Sequence, residues 1–249
     1  MNASTVENKS AAAVVTGRRR ERIFYIGMAV VAAVTVFAGF ARTYFLKSYF
    51  GGPPLMPLLH VHGLVFTSWI VLLLTQTSLV AANRTDIHRR LGIAGGVIAA
   101  LLVVIGALTA IIRASQGAAP PGGPSPLVFL VIPLFDMLVF SSLAGAGFYF
   151  RRRADVHKRL MLLATLSILS AAIARLPFEI LKAGPLAFFG LTDLFILAVP
   201  LYDLITRRRV HRATAGAALL IVGSQPLRLM IGGTSAWMTF AAWLTHWFS

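Results

Sequence analysis

The sequence predicts an all-α, polytopic transmembrane helix bundle of about seven spans, with its N-terminus inside and its C-terminus outside. Three observations predict it. Runs of about 20 apolar residues, the length that crosses a bilayer, recur along the whole 249-residue chain. Only 12% of residues are charged and 57% are hydrophobic, against roughly 25% charged in a soluble domain, and the mean hydropathy is +0.79. The arginines and lysines gather in short clusters before every second apolar run.

Taken in order, residues 1–22 read as a disordered, basic cytoplasmic N-terminus, polar and small as far as Thr16 and ending in Arg18-Arg19-Arg20-Glu21-Arg22. That cluster followed by an apolar run faintly resembles a signal peptide. The run continues from Ile23 to Leu46 without a small-residue cleavage site, so an uncleaved first helix is expected. The remaining spans are expected at Leu58–Ala82, Leu91–Arg113, Pro126–Phe150, Leu160–Lys182, Leu186–Thr206 and His211–Gly232. At 1.5 Å per residue each covers about 30 Å of hydrocarbon. Residues 23–232 thus form one transmembrane domain. The tail, residues 233–249, is too short to span and contains Trp237, Trp243, Trp247 and Phe248, aromatics suited to an interface.

Orientation follows from charge. Basic clusters precede spans 1, 3, 5 and 7, whereas the intervening connections are rich in Gly and Pro and hold Lys47 as their only charge. The positive-inside rule places the clusters in the cytoplasm of a bacterial inner membrane, beside anionic headgroups. A net charge of +15 could indicate nucleic acid, but these clusters lie between apolar runs and form no soluble basic module, so no nucleic-acid partner is expected. The chain has no cysteine, which excludes disulfides, thiolate metal sites, iron–sulfur clusters and cysteine nucleophiles.

A partial repeat accompanies the clusters. Thr85-Asp86-Ile87-His88-Arg89-Arg90-Leu91 precedes span 3, Ala154-Asp155-Val156-His157-Lys158-Arg159-Leu160 precedes span 5, and Arg209-Val210-His211-Arg212 is a degenerate third copy. The plain reading is a helix start, with the aspartate as N-cap and the basic residues at the headgroups. Duplication of a helix pair fits the same pattern; the copies are parallel, which weakens any analogy with inverted-repeat transporters.

A charge deep in a span costs roughly 2.5–3.5 kcal/mol on insertion scales and calls for a partner or a wet cavity. Such residues are Asp136 on span 4, Arg175 and Glu179 on span 5, Asp193 on span 6, and Gln225 and Arg228 on span 7. Asp136 is expected near mid-membrane and the others about 5–10 Å from the outer helix ends. Pro177 and Pro226 lie beside them, and a proline inside a helix frees the carbonyl four residues earlier, here Ile173 and Val222. Together they suggest an outward-facing polar cavity lined by Asp136, Arg175, Glu179, Asp193, Gln225 and Arg228. The competing reading is an ion-pair network that only holds the bundle together, with Arg175 and Glu179 pairing four residues apart. Asp203, beside Arg207, reads as a boundary residue.

Histidines bear on cofactors. His88, His157 and His211 share one depth at the inner surface, where haem would need facing imidazoles, but arginine or lysine flanks each of them. His60 and His62 head span 2; two apart on a helix they diverge by roughly 200°, so a shared metal would require an irregular start after Pro57. One of them with Glu179 or Asp193 could still hold a divalent metal, since imidazole with carboxylate suits Zn, Fe or Mn. Gly92, Gly95, Gly96, Gly145 and Gly147 read as close-packing positions. No P-loop, G-x-S-x-G, H-E-x-x-H or dinucleotide fingerprint occurs.

His60-Val61-His62-Gly63, Asp86 to Gly92 and His157 to Thr165 resemble a group of small, largely uncharacterised bacterial multi-pass membrane proteins carrying H-x-H-G and D-[IV]-H-[RK]-R-L motifs. The resemblance covers roughly residues 55 to 180. It implies the fold and no catalytic residue. Three functions remain open: a bundle that binds or passes a small polar or ionic ligand, a haem or metal redox protein, and a membrane scaffold or assembly factor.

Overall fold

The computed structural model describes residues 3–119 and 123–248, with side chains from Thr16 onward. Helix α1 (Ala3–Phe40) runs through a π-turn (Ala41–Phe45) into a 3-10 turn (Lys47–Phe50); the side chains before Thr16, where a disordered N-terminus is expected, lie outside the described residues. It is followed by α2 (Pro57–Ala81), α3 (Thr85–Ser115), α4 (Pro126–Phe129) and α5 (Val131–Tyr149). Then come α6 (Ala154–Ser167), α7 (Ser170–Ile173), a 3-10 turn (Glu179–Ala183), α8 (Pro185–Arg207), α9 (Arg212–Gly232) and α10 (Ser235–His246). Among the described residues there are seven helical segments long and apolar enough to cross a membrane.

The turns sort into two kinds, one at each end of the bundle. At the end opposite the arginine clusters, α2, α4 and α8 each begin with proline at the first helical position, where its fixed φ is already helical and its missing N–H goes unneeded. At the basic end the connections are tight: Asn83 and Arg208 adopt left-handed φ values of 60° and 55° to reverse the chain. The repeat motif lies inside the helices rather than before them. Arg84 and Arg153 occupy the N-cap positions of α3 and α6 without a capping bond, so Asp86 and Asp155 are first-turn residues and not the caps expected. Only the degenerate copy caps: His211 Nδ1 accepts from the Ala213 N–H at 3.1 Å.

The fifth span forms the centre, with α1, α5, α8 and α9 packed around α6 and α7. Of its apolar stretch 72% is buried, against 11% for the second span, which therefore faces outward. Leu163, Leu166, Ile173, Phe140 and Val199 fill this core. Trp69 of α2 lies edge-on to Phe140 at 5.1 Å, and its indole N–H reaches Thr165 Oγ1 at 3.1 Å. Close approach depends on glycine at several places, Gly39 and Gly147 among them. A Cβ on Gly39 would sit 2.1 Å from the Ala172 carbonyl oxygen, and one on Gly147 would sit 2.6 Å from the Met161 sulfur. Gly96 and Gly145 meet nothing within 4 Å, so these two have no packing role here.

One expectation is corrected. The fifth span is not a helix to Lys182. Its ladder loosens to i→i−3 bonds at Ile168 and Leu169, resumes for one turn, and ends at Ile173. The Ile173 carbonyl accepts from the Leu176 N–H at 3.0 Å, so Pro177 follows the helix end and kinks nothing. The aromatic tail forms a helix docked on α3 and α4: Trp237, Ala241 and Thr245, four apart, are buried, and the Trp237 indole N–H donates to the Leu127 carbonyl at 2.8 Å.

Candidate functional site

The polar residues expected in one cavity separate into three groups. The first is fully enclosed. Asp136 of α5 and Arg228 of α9 form an ion pair between Oδ1 and Nη1, with 8% and 1% of their side-chain surfaces exposed. Ser170, the first residue of α7, donates to Asp136 Oδ2 at 3.3 Å, and Arg228 Nη2 donates to Ser224 Oγ at 3.0 Å. The guanidinium also lies 5.5 Å from the Phe189 ring and 5.9 Å from Phe135. Its Nε–H is buried and has no partner among the described residues. The ion pair therefore sits directly beside the break between α6 and α7, on a helix end that no glycine or proline marks.

The second group is Asp193 of α8 and Gln225 of α9, joined by an amide N–H donating to the carboxylate at 2.6 Å. The third lies at the surface. Glu179 pairs with Lys182 at 2.6 Å with both side chains largely exposed, not with Arg175. Arg175 instead donates to the Ala171 carbonyl at 2.5 Å and stacks on the Phe40 ring at 4.8 Å. No carboxylate lies within ion-pair distance of Arg175 among the described residues. A cleft of about 570 Å³ opens between α3, α4 and α10, lined by residues such as Ala114, Leu127, Met238 and Thr245. None of the six expected ligand-binding residues lines it.

His60 and His62 diverge, as their spacing requires. His60 lies beside Tyr44, whose hydroxyl donates to the His60 carbonyl at 3.3 Å, while His62 stacks on Phe66 at 4.1 Å with Nδ1 buried and unpartnered. Gly63 explains the motif: a Cβ there would lie 2.3 Å from the Tyr44 ring, so glycine admits the tyrosine to the face of α2. No group of three or more His, Asp or Glu residues able to hold a metal occurs among the described residues.

The most extensive network is one that sequence reasoning missed. Arg159 and Asp203, expected at the headgroups and at a span boundary, are both completely buried and paired. Arg159 Nε faces both carboxylate oxygens at 3.2 Å, Nη2 bonds Oδ1, and Nη1 donates to the Asp155 carbonyl at 2.7 Å. Asp203 Oδ2 also accepts from Thr214 Oγ1 at 2.6 Å and from the His211 N–H at 3.1 Å. His211 Nε2 in turn meets Asp155 Oδ2 at 3.1 Å, so α6, α8 and α9 are tied together at the basic end. Lys158 extends the network to Glu21 of α1. The signal was available: Asp203 lies within an apolar run, where an acid requires a partner. The other two inner histidines meet each other, the rings of His88 and His157 standing 6.2 Å apart.

No protein-family model, no curated protein and no solved structure matches the chain. The functional reading therefore rests on these side chains.

Proposed function

We propose that the chain is a multi-pass protein of a bacterial inner membrane, basic end in the cytoplasm and C-terminus outside, that binds or passes a small polar or ionic ligand in its outer half. The observation behind this reading is the helix break beside the Asp136–Arg228 pair. Irregular backbone at membrane depth persists where protein or a polar site satisfies it, and discontinuous helices flank ligand sites in transporters. Ser170 brings the break to Asp136, and the spare Nε–H of Arg228 can donate to an oxygen of a further ligand. Arg175, with no acid beside it, adds a second cation at the same end. The ligand class is accordingly an anion or zwitterion with a carboxylate, which guanidinium groups recognise by paired N–H donors.

The test is thermal melting of the purified protein in detergent with acetate, succinate or glutamate, against sodium chloride at matched ionic strength. Binding at a hundred times Kd adds about 2.7 kcal/mol, a readily measured rise in Tm. The rise should saturate and should disappear in Arg228→Gln. If none of the three carboxylates raises Tm above the chloride control, the reading fails.

The enclosure of the ion pair favours a second reading, a scaffold or assembly factor whose buried charges only hold the bundle. The double substitution Asp136→Leu with Arg228→Met separates the two. Replacing a buried pair by apolar groups of similar volume is often neutral or stabilising. A scaffold then keeps its stability and loses nothing else, whereas a ligand site keeps stability and loses the carboxylate-dependent rise.

A further inference from the structure

The two full copies of the D-[IV]-H-[RK]-R-L motif meet through their histidines. His88 lies in the first turn of α3 and His157 in the first turn of α6, and their rings stand 6.2 Å apart at 83°. The third position of each motif is thereby brought to one point, although the rest of each copy has a different fate. Asp86 faces Arg84 at the surface, whereas Asp155 joins the His211 and Arg159 network. What the copies share in space is the imidazole pair.

The protonation of one ring is fixed by its neighbour. His157 Nδ1 lies 2.8 Å from the Gly147 carbonyl oxygen, which can only accept, so Nδ1 bears the proton and Nε2 keeps its lone pair. A backbone carbonyl holding the far nitrogen in this way is the usual support of a metal-binding imidazole. Gly147 makes it feasible, because the missing Cβ lets α5 approach Met161 of α6. His88 Nδ1 is buried and unpartnered. Gln76 of α2 donates its amide N–H to the His88 carbonyl at 3.2 Å and leaves its own Oε1 buried without a partner. Three potential donors, from α2, α3 and α6, are thus withheld from other bonds at one place.

We propose that His88 and His157, with Gln76 beside them, form a binding site for a late first-row transition-metal ion, Zn²⁺ or Cu²⁺, at the basic end of the bundle. Metal–nitrogen bonds of roughly 2 Å place the centres of two coordinating rings about 5.2 Å apart at a tetrahedral angle and about 6.4 Å apart at a linear one. The observed 6.2 Å thus suits a near-trans pair on Cu²⁺ and has to close by about 1 Å for tetrahedral Zn²⁺. The neighbouring Arg84, Arg89 and Arg90 repel cations held by charge alone, which disfavours Mg²⁺ and Ca²⁺. An ion bound through imidazole lone pairs is the one this donor set selects. The site is independent of the carboxylate reading at the opposite end.

The test is titration of tag-free, detergent-purified protein with Cu²⁺ and Zn²⁺, with bound metal counted by elemental analysis and the copper form examined by electron paramagnetic resonance. The expected result is one ion per chain, with hyperfine coupling to two imidazole nitrogens. His88→Ala and His157→Ala should each weaken binding by more than about 100-fold, beyond the roughly 10–100-fold that loss of an outer-sphere partner costs. Free imidazole should restore the signal of His88→Ala, while a His60→Ala, His62→Ala double variant should bind like the wild type. Failure to bind one ion per chain overturns the proposal, as does binding that survives in both single variants. If either variant does not fold, the nitrogen coupling in the wild-type copper form decides: two imidazoles support the site and none refutes it.

Discussion

Asp203 offers the sharpest contrast between a surface acid and a buried one. Asp203→Ala removes a carboxylate that accepts from Arg159, Thr214 and the His211 backbone, and leaves a completely buried guanidinium with one remaining carbonyl partner. Breaking a buried ion pair from one side costs about 3–5 kcal/mol, and each donor left unpaired adds up to about 1–3 kcal/mol, not additively. An overall loss of about 4 kcal/mol corresponds to a fall in Tm of roughly 8–16 °C for a chain of this size. Asp86 provides the internal control: its partner Arg84 lies at 3.7 Å with both side chains more than half exposed, so Asp86→Ala should cost at most about 1 kcal/mol. Fluorescence-detected melting in detergent reads both. The apolar double variant Asp203→Leu, Arg159→Met should recover most of the loss. A melting point for Asp203→Ala within about 2 °C of the wild type would refute the reasoning, as would a double variant no better than Asp203→Ala.

Other substitutions follow from the same contacts. Gly39→Ala drives a methyl into the Ala172 backbone and should destabilise by at least about 1–3 kcal/mol, whereas Gly96→Ala, with nothing within 4 Å, should melt like the wild type. Trp237→Phe deletes the bond to the Leu127 carbonyl, and limited proteolysis should cut the chain around residue 233 faster than in the wild type. Glu179→Gln breaks only an exposed pair with Lys182 and should leave both Tm and any carboxylate-dependent rise unchanged.

The spans, their prolines and the basic clusters were legible because length, apolar composition and charge act residue by residue. Asp136, expected near mid-membrane, and Arg228, expected nearer the outer end of its span, do meet, the long arginine stem reaching across the expected difference in level. The single cavity was not legible. Depth says nothing about which way a side chain faces round its helix, and Glu179 turns to Lys182 while Asp193 turns to Gln225. The break after Ser167 was hidden for a different reason. Its residues are ordinary helix and core types, and the visible proline, Pro177, lies beyond the helix end. The repeat misled at Arg159, because the equivalent Arg90 is exposed while Arg159 is buried by α8 and α9, elements that follow it in the chain.

That last arrangement has a consequence for biogenesis. On the membrane reading proposed above, Arg159 would enter the bilayer with the fifth span, whereas Asp203 and Thr214 are made 44 and 55 residues later. At the ordinary pace of about 5–20 residues per second, the arginine waits several seconds for its counterion. During that interval the most buried span of the seven would have only its older neighbours α1 and α5 to pack against. On that reading, maturation of the bundle would be timed by the emergence of α8 and α9, and a chain truncated before Asp203 would keep a buried arginine without its counterion.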